Sequence, residues 1–537
     1  MSGTKLLSVT IERFKSFESR TEIPLAPLTV ILGCNNSGKS SIIQCLLLLK
    51  QTLAEPRSDI PIHLDGVVSA FNLRELTFGW PANGADVSGP TLGLRWESTI
   101  DMKRAADEAR RPDRANLAKW TGISRFEDHE FWQAEMKPAT SSIQIDTVDA
   151  SGTTLISAIR LQSDLADDKT LFTLSFKEGS WTCLWRGRVP LDVDVELDHF
   201  VPYLKADLSW SGWGPRDKKR TWYNAYLILL SQPLEALKKL LSEFQYLGST
   251  RHTPPSLYKA SNVAPQEIGA SGELAAQLLH RRGGEVVHYL PPLIQGSSGV
   301  SIPEALRERP LVDAVNDVLE ALSIQTPLSV EEIREIGFRL LFGSASLLHV
   351  GRGLAYLLPL VELGLYSDPL RFLSLEEGDL TPARYSERCK SFAHIAIEEA
   401  EAHLHPKVQS LLAHWLVSLA MSNRRLIVET HSDHLVRRLR GLVARSGAGS
   451  ALETWLLENV VILEVEQDSE GRSTVKHSKL TAVGGIAEHW PAGFMDESSE
   501  EESAIFYGGM AKRPTAEEAG PNAAVIHDEG GEPEVER

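Results

Sequence analysis

Gly33-Cys34-Asn35-Asn36-Ser37-Gly38-Lys39-Ser40 is the stretch on which the reading of this chain turns. It matches G-x-x-x-x-G-K-[ST] in full, and its flanks are those the pattern needs. Upstream, Pro27-Leu-Thr-Val-Ile-Leu32 is a short apolar run of the fully buried kind. Downstream, Ile42, Cys45, Leu46 and Leu49 recur at helical spacing, which predicts a helix over 39–53 with one buried face. Glycines let such a loop curl until its backbone N–H groups surround phosphates, and the helix N-terminus adds a field that favours negative charge. The loop from Gly33 through Asn35, Asn36, Ser37 and Gly38 to Ser41 is therefore read as a binding site for ATP. Lys39 supplies a mobile cation to the β- and γ-phosphates, and the Ser40 hydroxyl ligates Mg²⁺.

Working outward, two more buried strands are expected, Ala393-His-Ile-Ala-Ile397 and Leu426-Ile-Val-Glu429, with a helix over 407–421 between them. Strand, helix, strand at that spacing is a parallel crossover unit. The first strand ends in Glu398 and Glu399, at the edge where open α/β sheets bind ligands. One of the pair can serve the Mg²⁺ shell while the next orients or deprotonates the attacking water. His431, just past the second strand, is read as a polar sensor of the γ-phosphate or of that water. His403 and His405 have a metal-like spacing, but no Cys joins them, and a helix entry with Pro406 in its first turn accounts for both.

The chain has 537 residues, 42% apolar and 24% charged, ordinary for a globular protein of two to four domains. Cys34, Cys45, Cys183 and Cys389 are too scattered for a disulfide framework or a zinc module, which implies a reducing, cytoplasmic setting. Neither a membrane-length apolar run nor a signal-peptide core occurs. The net charge of −17 argues against a generic polyanion binder, yet residues 496–537 alone carry 12 acidic and 3 basic side chains, so the remainder is only mildly acidic. Basic clusters around 210–222 and at Arg437, Arg438 and Arg440 leave nucleic-acid contact open but weakly signalled. Eight of the 12 tryptophans lie between Trp96 and Trp222, among strand-like segments at 142–148, 170–176 and 181–185 and a helix candidate near 102–111. That density predicts a packed insertion. The expected division is an N-terminal ATPase lobe (1–95), an inserted α+β domain (96–330), a C-terminal ATPase lobe (331–495) and a disordered acidic tail (496–537).

Arg13-Phe-Lys-Ser-Phe17, the phosphate loop, Glu398-Glu-Ala-Glu-Ala-His-Leu-His-Pro406 and Glu429-Thr-His-Ser432 follow one another along the chain. Together they resemble the AAA/ABC-type ATPases related to SMC proteins and the OLD family. The resemblance implies an α/β P-loop NTPase with an ABC/SMC-like head. It makes Glu398 the Mg²⁺-side acid, Glu399 the catalytic glutamate and His431 the switch histidine. Val350-Gly351-Arg-Gly353-Leu-Ala-Tyr356 takes the place of the signature loop that caps the γ-phosphate of an opposite subunit, which implies a homodimer or higher homo-oligomer. His349, Ala355, Tyr356 and Ala400 depart from the residues relatives carry there. Tyr246-Leu-Gly-Ser-Thr-Arg251 and Gly269-Ala-Ser-Gly-Glu273 sit where relatives return from the insertion; Arg251 is read as facing the nucleotide, an interface or plain solvent. Trp490-Pro-Ala-Gly-Phe494 resembles the C-terminal signature of a bacterial subgroup. The implied role is the ATPase or sensor component of an anti-phage defence or DNA-transaction system with a separate effector. A non-hydrolysing ATP-binding scaffold is the alternative. An OLD-like nuclease is disfavoured, because 106 residues follow His431 without an Asp-x-Asp after a strand, and Asp192-Val-Asp194 lacks a paired acidic strand. A transporter subunit would need a Leu-Ser-Gly-Gly-Gln that is absent.

Overall fold

Leu6, Val9 and Ile11 are buried along β1 (Lys5–Glu12) while Lys5, Leu7, Thr10 and Glu12 are half-exposed, the mark of a strand with one covered face. The computed structural model describes residues 3–80, 87–109, 112–150, 152–166, 170–191, 193–205, 218–297, 299–334, 336–370 and 391–486. The acidic segment 496–537, the motif at 490–496, the basic stretch at 210–217, Asp192 and Cys389 lie outside them. After β2 (Thr21–Pro24) comes β3 (Leu28–Leu32), buried at every residue as its apolar sequence requires. The helix α1 (Lys39–Ala54) follows. It buries more than the one face expected, with Ile42, Ile43 and the whole run Cys45–Leu49 inside. The reason is its position, packed against β1, the helix α2 (Gln232–Glu243) and the strand at Arg424–Glu429 at once.

The tryptophan-rich region does not make a separate domain. β4 (Val87–Asp101) pairs with β1, and β5 (Met136–Ala150), β6 (Thr153–Ser163), β7 (Thr170–Lys177), β8 (Ser180–Trp185) and β9 (Val189–Leu191) extend the ladder into one antiparallel sheet ordered β2-β1-β4-β5-β6-β7-β8-β9. The boundary expected at 95/96 falls inside β4, and that at 330/331 inside the strand Leu328–Ile333. Residues 1–489 form one compact unit. The three expected strands are present, and the expected helix shortens to Met102–Glu108. Buried Trp96 ties this sheet to α2, its indole N–H donating to the Pro233 carbonyl at 3.0 Å.

The second sheet carries the phosphate loop. Its order is β10 (Gln245–Leu247), β11 (Ala393–Ile397), β12 (Arg424–Glu429), β3, β13 (Val460–Gln467) and β14 (Ser473–Lys479); the first five run parallel and β14 antiparallel. α3 (Arg352–Tyr366) precedes β11, α4 (Pro406–Met421) makes the expected crossover from β11 to β12, and α5 (Asp433–Arg445) follows β12. Registers Ile397↔Val428 and Val428↔Val30 bring the carboxyl ends of β11, β12 and β3 side by side. No helix among the described residues is long and apolar enough to cross a membrane.

Candidate functional site

β3 opens into the phosphate loop through backbone that only glycine fits. At Gly33, with φ 148°, a Cβ would lie 2.3 Å from the Val465 carbonyl oxygen; at Gly38, with φ 101°, it would lie 2.5 Å from Ser16 Oγ. β14 braces the loop from outside, since Ser473 Oγ donates to the Ser37 carbonyl and Ser473 N–H to the Ser16 carbonyl, at 2.5 and 2.8 Å. Lys39 folds back onto the loop, its Nζ donating to the carbonyls of Gly33 (2.9 Å) and Cys34 (2.7 Å). Burial lowers the Lys39 pKa, and the Glu429 carboxylate opposes that shift.

A cavity of about 480 Å³ collects most of the expected site. Asn35, Asn36, Gly38, Lys39, Ser40, Ser41, Glu399 and His431 line it, joined by Lys15, Ser16, Gln44, Gln467 and Glu429. Glu399 stands at φ 46°, a left-handed conformation that costs a non-glycine residue free energy and is found where structure over-determines it. His431 is held by its backbone. Its N–H donates to one oxygen of Glu401 at 2.5 Å, while Thr430 Oγ donates to the other at 2.6 Å. Burial, with the positive charge of Lys39, lowers the His431 pKa, and the carboxylates of Glu401 and Glu399 oppose that shift.

Glu398 does not stand where the sequence reading put it. It is buried against Tyr246 and Arg251, and it is not among the residues lining the cavity. Burial raises its pKa, with hydrogen bonding from Tyr246 and from the Ser249 backbone opposing. The place beside Ser40 belongs to Glu429, whose Oε1 accepts from Ser40 Oγ at 3.1 Å. Burial and the charge of Glu398 push the Glu429 carboxyl up to about 7. Glu429 Oε2 is buried without a hydrogen-bond partner. A serine hydroxyl beside a carboxylate with an idle oxygen is the hard-oxygen donor set that Mg²⁺ takes, so the residues fit that ion. Sequence reasoning missed Glu429, Glu401 and Lys15. The available signal was an acid closing an otherwise apolar strand, Leu426-Ile-Val-Glu429.

The signature-like glycines lie elsewhere, since neither Gly351 nor Gly353 lines the cavity. Gly351 caps α3, and a Cβ there would meet nothing within 4 Å. Gly353 is pressed against the turn after Glu399, where a Cβ would sit 2.5 Å from the His403 carbonyl. Tyr356 meets the His403 ring edge-on at 4.7 Å, so this departure from the resembled pattern has a packing role within the chain. His405 caps α4 by accepting from Lys407 N–H at 3.3 Å, with Pro406 in the first turn. Among the described residues no group of three His, Cys, Asp or Glu could hold a metal ion.

Residues 5–88 and 379–436 match the family model of the AAA ATPase domain. Among solved structures, the chain is similar to an SMC head bound to the C-winged helix domain of ScpA (12% identity, TM-score 0.38, covering 88% of this chain and 98% of that one). It is also similar to an SMC head domain from Thermotoga maritima (11%, 0.32, 88% and 98%). A third is an Smc head domain with an extended coiled coil bound to the C-terminal domain of ScpA, derived from Pyrococcus furiosus (10%, 0.36, 94% and 100%). No curated protein matches the chain.

Proposed function

We propose, on the premise that residues 5–88 and 379–436 form an AAA ATPase domain, that this protein binds and hydrolyses ATP and uses the cycle as a molecular switch. The observation that carries the reading is the convergence of Lys39, Ser40, Glu429, Glu399 and His431, from three neighbouring strand ends, on one cavity. Lys39 exchanges the carbonyls of Gly33 and Cys34 for the β- and γ-phosphates, which also receive the backbone N–H groups at the start of α1. Ser40 and Glu429 would hold Mg²⁺, which supplies charge neutralisation on the phosphate oxygens when bound. Glu399 orients the attacking water and takes its proton, and His431 hydrogen-bonds the γ-phosphate or that water.

Gly351, with open space before it, is the part of the chain suited to a second protomer's γ-phosphate. Two protomers packed head to tail would then close on ATP and open on hydrolysis. The setting that best suits the motif order is cytoplasmic, as the ATPase or sensor component of bacterial anti-phage defence or a DNA transaction, with a separate effector. The engagement of Tyr356 with His403 favours a second reading, an ATP-binding scaffold with little turnover.

Nucleotide binding and phosphate release by wild type, Lys39→Ala and Glu399→Gln decide between them. Lys39→Ala is expected to lose ATP binding. Glu399→Gln is expected to bind ATP and release phosphate about a hundredfold more slowly. ATP binding by Lys39→Ala equal to wild type would remove the reading; binding without turnover by wild type would leave the scaffold.

A further inference from the structure

Arg251 follows β10 and is 4% exposed. Its Nη2 donates to the backbone carbonyl of Glu398 at 2.8 Å, while Nε and Nη1 are buried with no hydrogen-bond partner. That carbonyl begins the peptide leading into Glu399, the residue held at φ 46°. The other backbone group of Glu398 is fixed too, its N–H donating to the Leu247 carbonyl at 2.9 Å. The approach to Glu399 is thus clamped by β10 on one side and by a guanidinium on the other. An unusual conformation persists only where such restraints impose it.

The same segment reaches α3. Gly248 N–H donates to the Ala270 carbonyl and His252 N–H to the Ser271 carbonyl, each at 2.8 Å. Gly272, the next residue, lies against α3, where a Cβ would come 2.7 Å from Pro359 Cβ. Glu399 and the α3 residue Tyr356 both lie close enough to Arg251 to act on its ionisation. The turn that aims the water-activating carboxylate and the helix that Gly351 caps are therefore joined through residues 248–252.

We infer that Arg251 is a positioning residue: by holding the Glu398 carbonyl it sets the aim of Glu399 and ties that aim to α3, governing turnover without contributing to nucleotide affinity. The inference rests on the ATPase reading above. A misaim of about 1 Å at a reacting group costs up to a hundredfold in rate.

The test uses the full chain as wild type, Arg251→Gln, Arg251→Lys and Glu399→Gln, with ATP affinity, kcat, KM and melting temperature measured on each. Arg251→Gln is expected to keep ATP affinity and KM within about twofold while kcat falls about tenfold or more. Arg251→Lys, which keeps the charge and one donor without the planar fork, is expected between Arg251→Gln and wild type, again at unchanged KM. Wild-type kcat in either folded variant overturns the inference, as does a loss of ATP affinity matching the loss of kcat. If Arg251→Gln melts far below wild type, the kcat of Arg251→Lys decides. A wild type that releases no phosphate would instead count against the ATPase reading. Normal wild-type turnover, blocked in Glu399→Gln and untouched in the Arg251 variants, would count against this inference alone.

Discussion

Gly351 and Gly353 are two positions apart and answer to opposite constraints. A methyl group at Gly353 collides with the His403 carbonyl at 2.5 Å, and backbone rather than a flexible side chain must give way. Gly353→Ala is therefore expected to lower stability by about 1–3 kcal/mol, the range for overpacking, whereas Gly351→Ala meets no atom within 4 Å and should melt with wild type. Denaturant unfolding of the two variants checks this, and equal midpoints would contradict it. The phosphate loop was legible in the sequence because its chemistry is local: eight consecutive residues between a buried strand and a helix. The acid that faces Ser40 was not. Glu398 and Glu429 both end apolar strands, and which one meets Ser40 depends on sheet order. β12 lies between β3 and β11, so its terminal Glu429 takes the place, and sequence distance says nothing of that.

At the scale of elements, the turn between β12 and α5 depends on a residue from the neighbouring strand's exit. Glu401 spends both carboxylate oxygens on Thr430 and His431, and Ser432 then caps α5 by accepting from Leu435 N–H at 3.1 Å. Hydrogen bonds to a charged group contribute about 1.5–3 kcal/mol each, so Glu401→Ala is expected to melt several degrees lower and to lose turnover as His431 drifts. Glu401→Gln, able to accept with one oxygen, should fall between. Full activity and stability in Glu401→Ala would show that His431 is placed by something else. The crossover β11-α4-β12 was readable from period and length alone. The extent of α1 burial was not, because a helix packed against two sheets and α2 is covered on more than one face, and its periodic apolar face marks only part of that contact.

Across the molecule, the insertion escaped sequence reading for a related reason. Its strands were identifiable one by one, but their pairing onto β1 through β4 is a long-range contact that leaves no local pattern. A global consequence also follows from Glu429. Its folded-state pKa of about 7 lies above the ordinary 4.5, so its contribution to stability is full below about 4.5 and is lost as pH rises through about 7. The size is on the order of 3 kcal/mol. Apo wild type should therefore lose stability between pH 5 and 8 relative to Glu429→Gln, measured by unfolding both across that range; parallel pH profiles would contradict it. Stabilisation by Mg²⁺ with ATP should grow over the same interval, because the ion requires the ionised carboxylate.

The most direct measurement is a structure of Glu399→Gln with ATP and Mg²⁺. The account predicts the triphosphate in the cavity of Lys39, Glu429 and His431, with Lys39 released from the loop carbonyls onto the β- and γ-phosphates and Mg²⁺ on Ser40 Oγ. A cavity left empty at saturating ATP, or nucleotide bound away from Lys39, would contradict it.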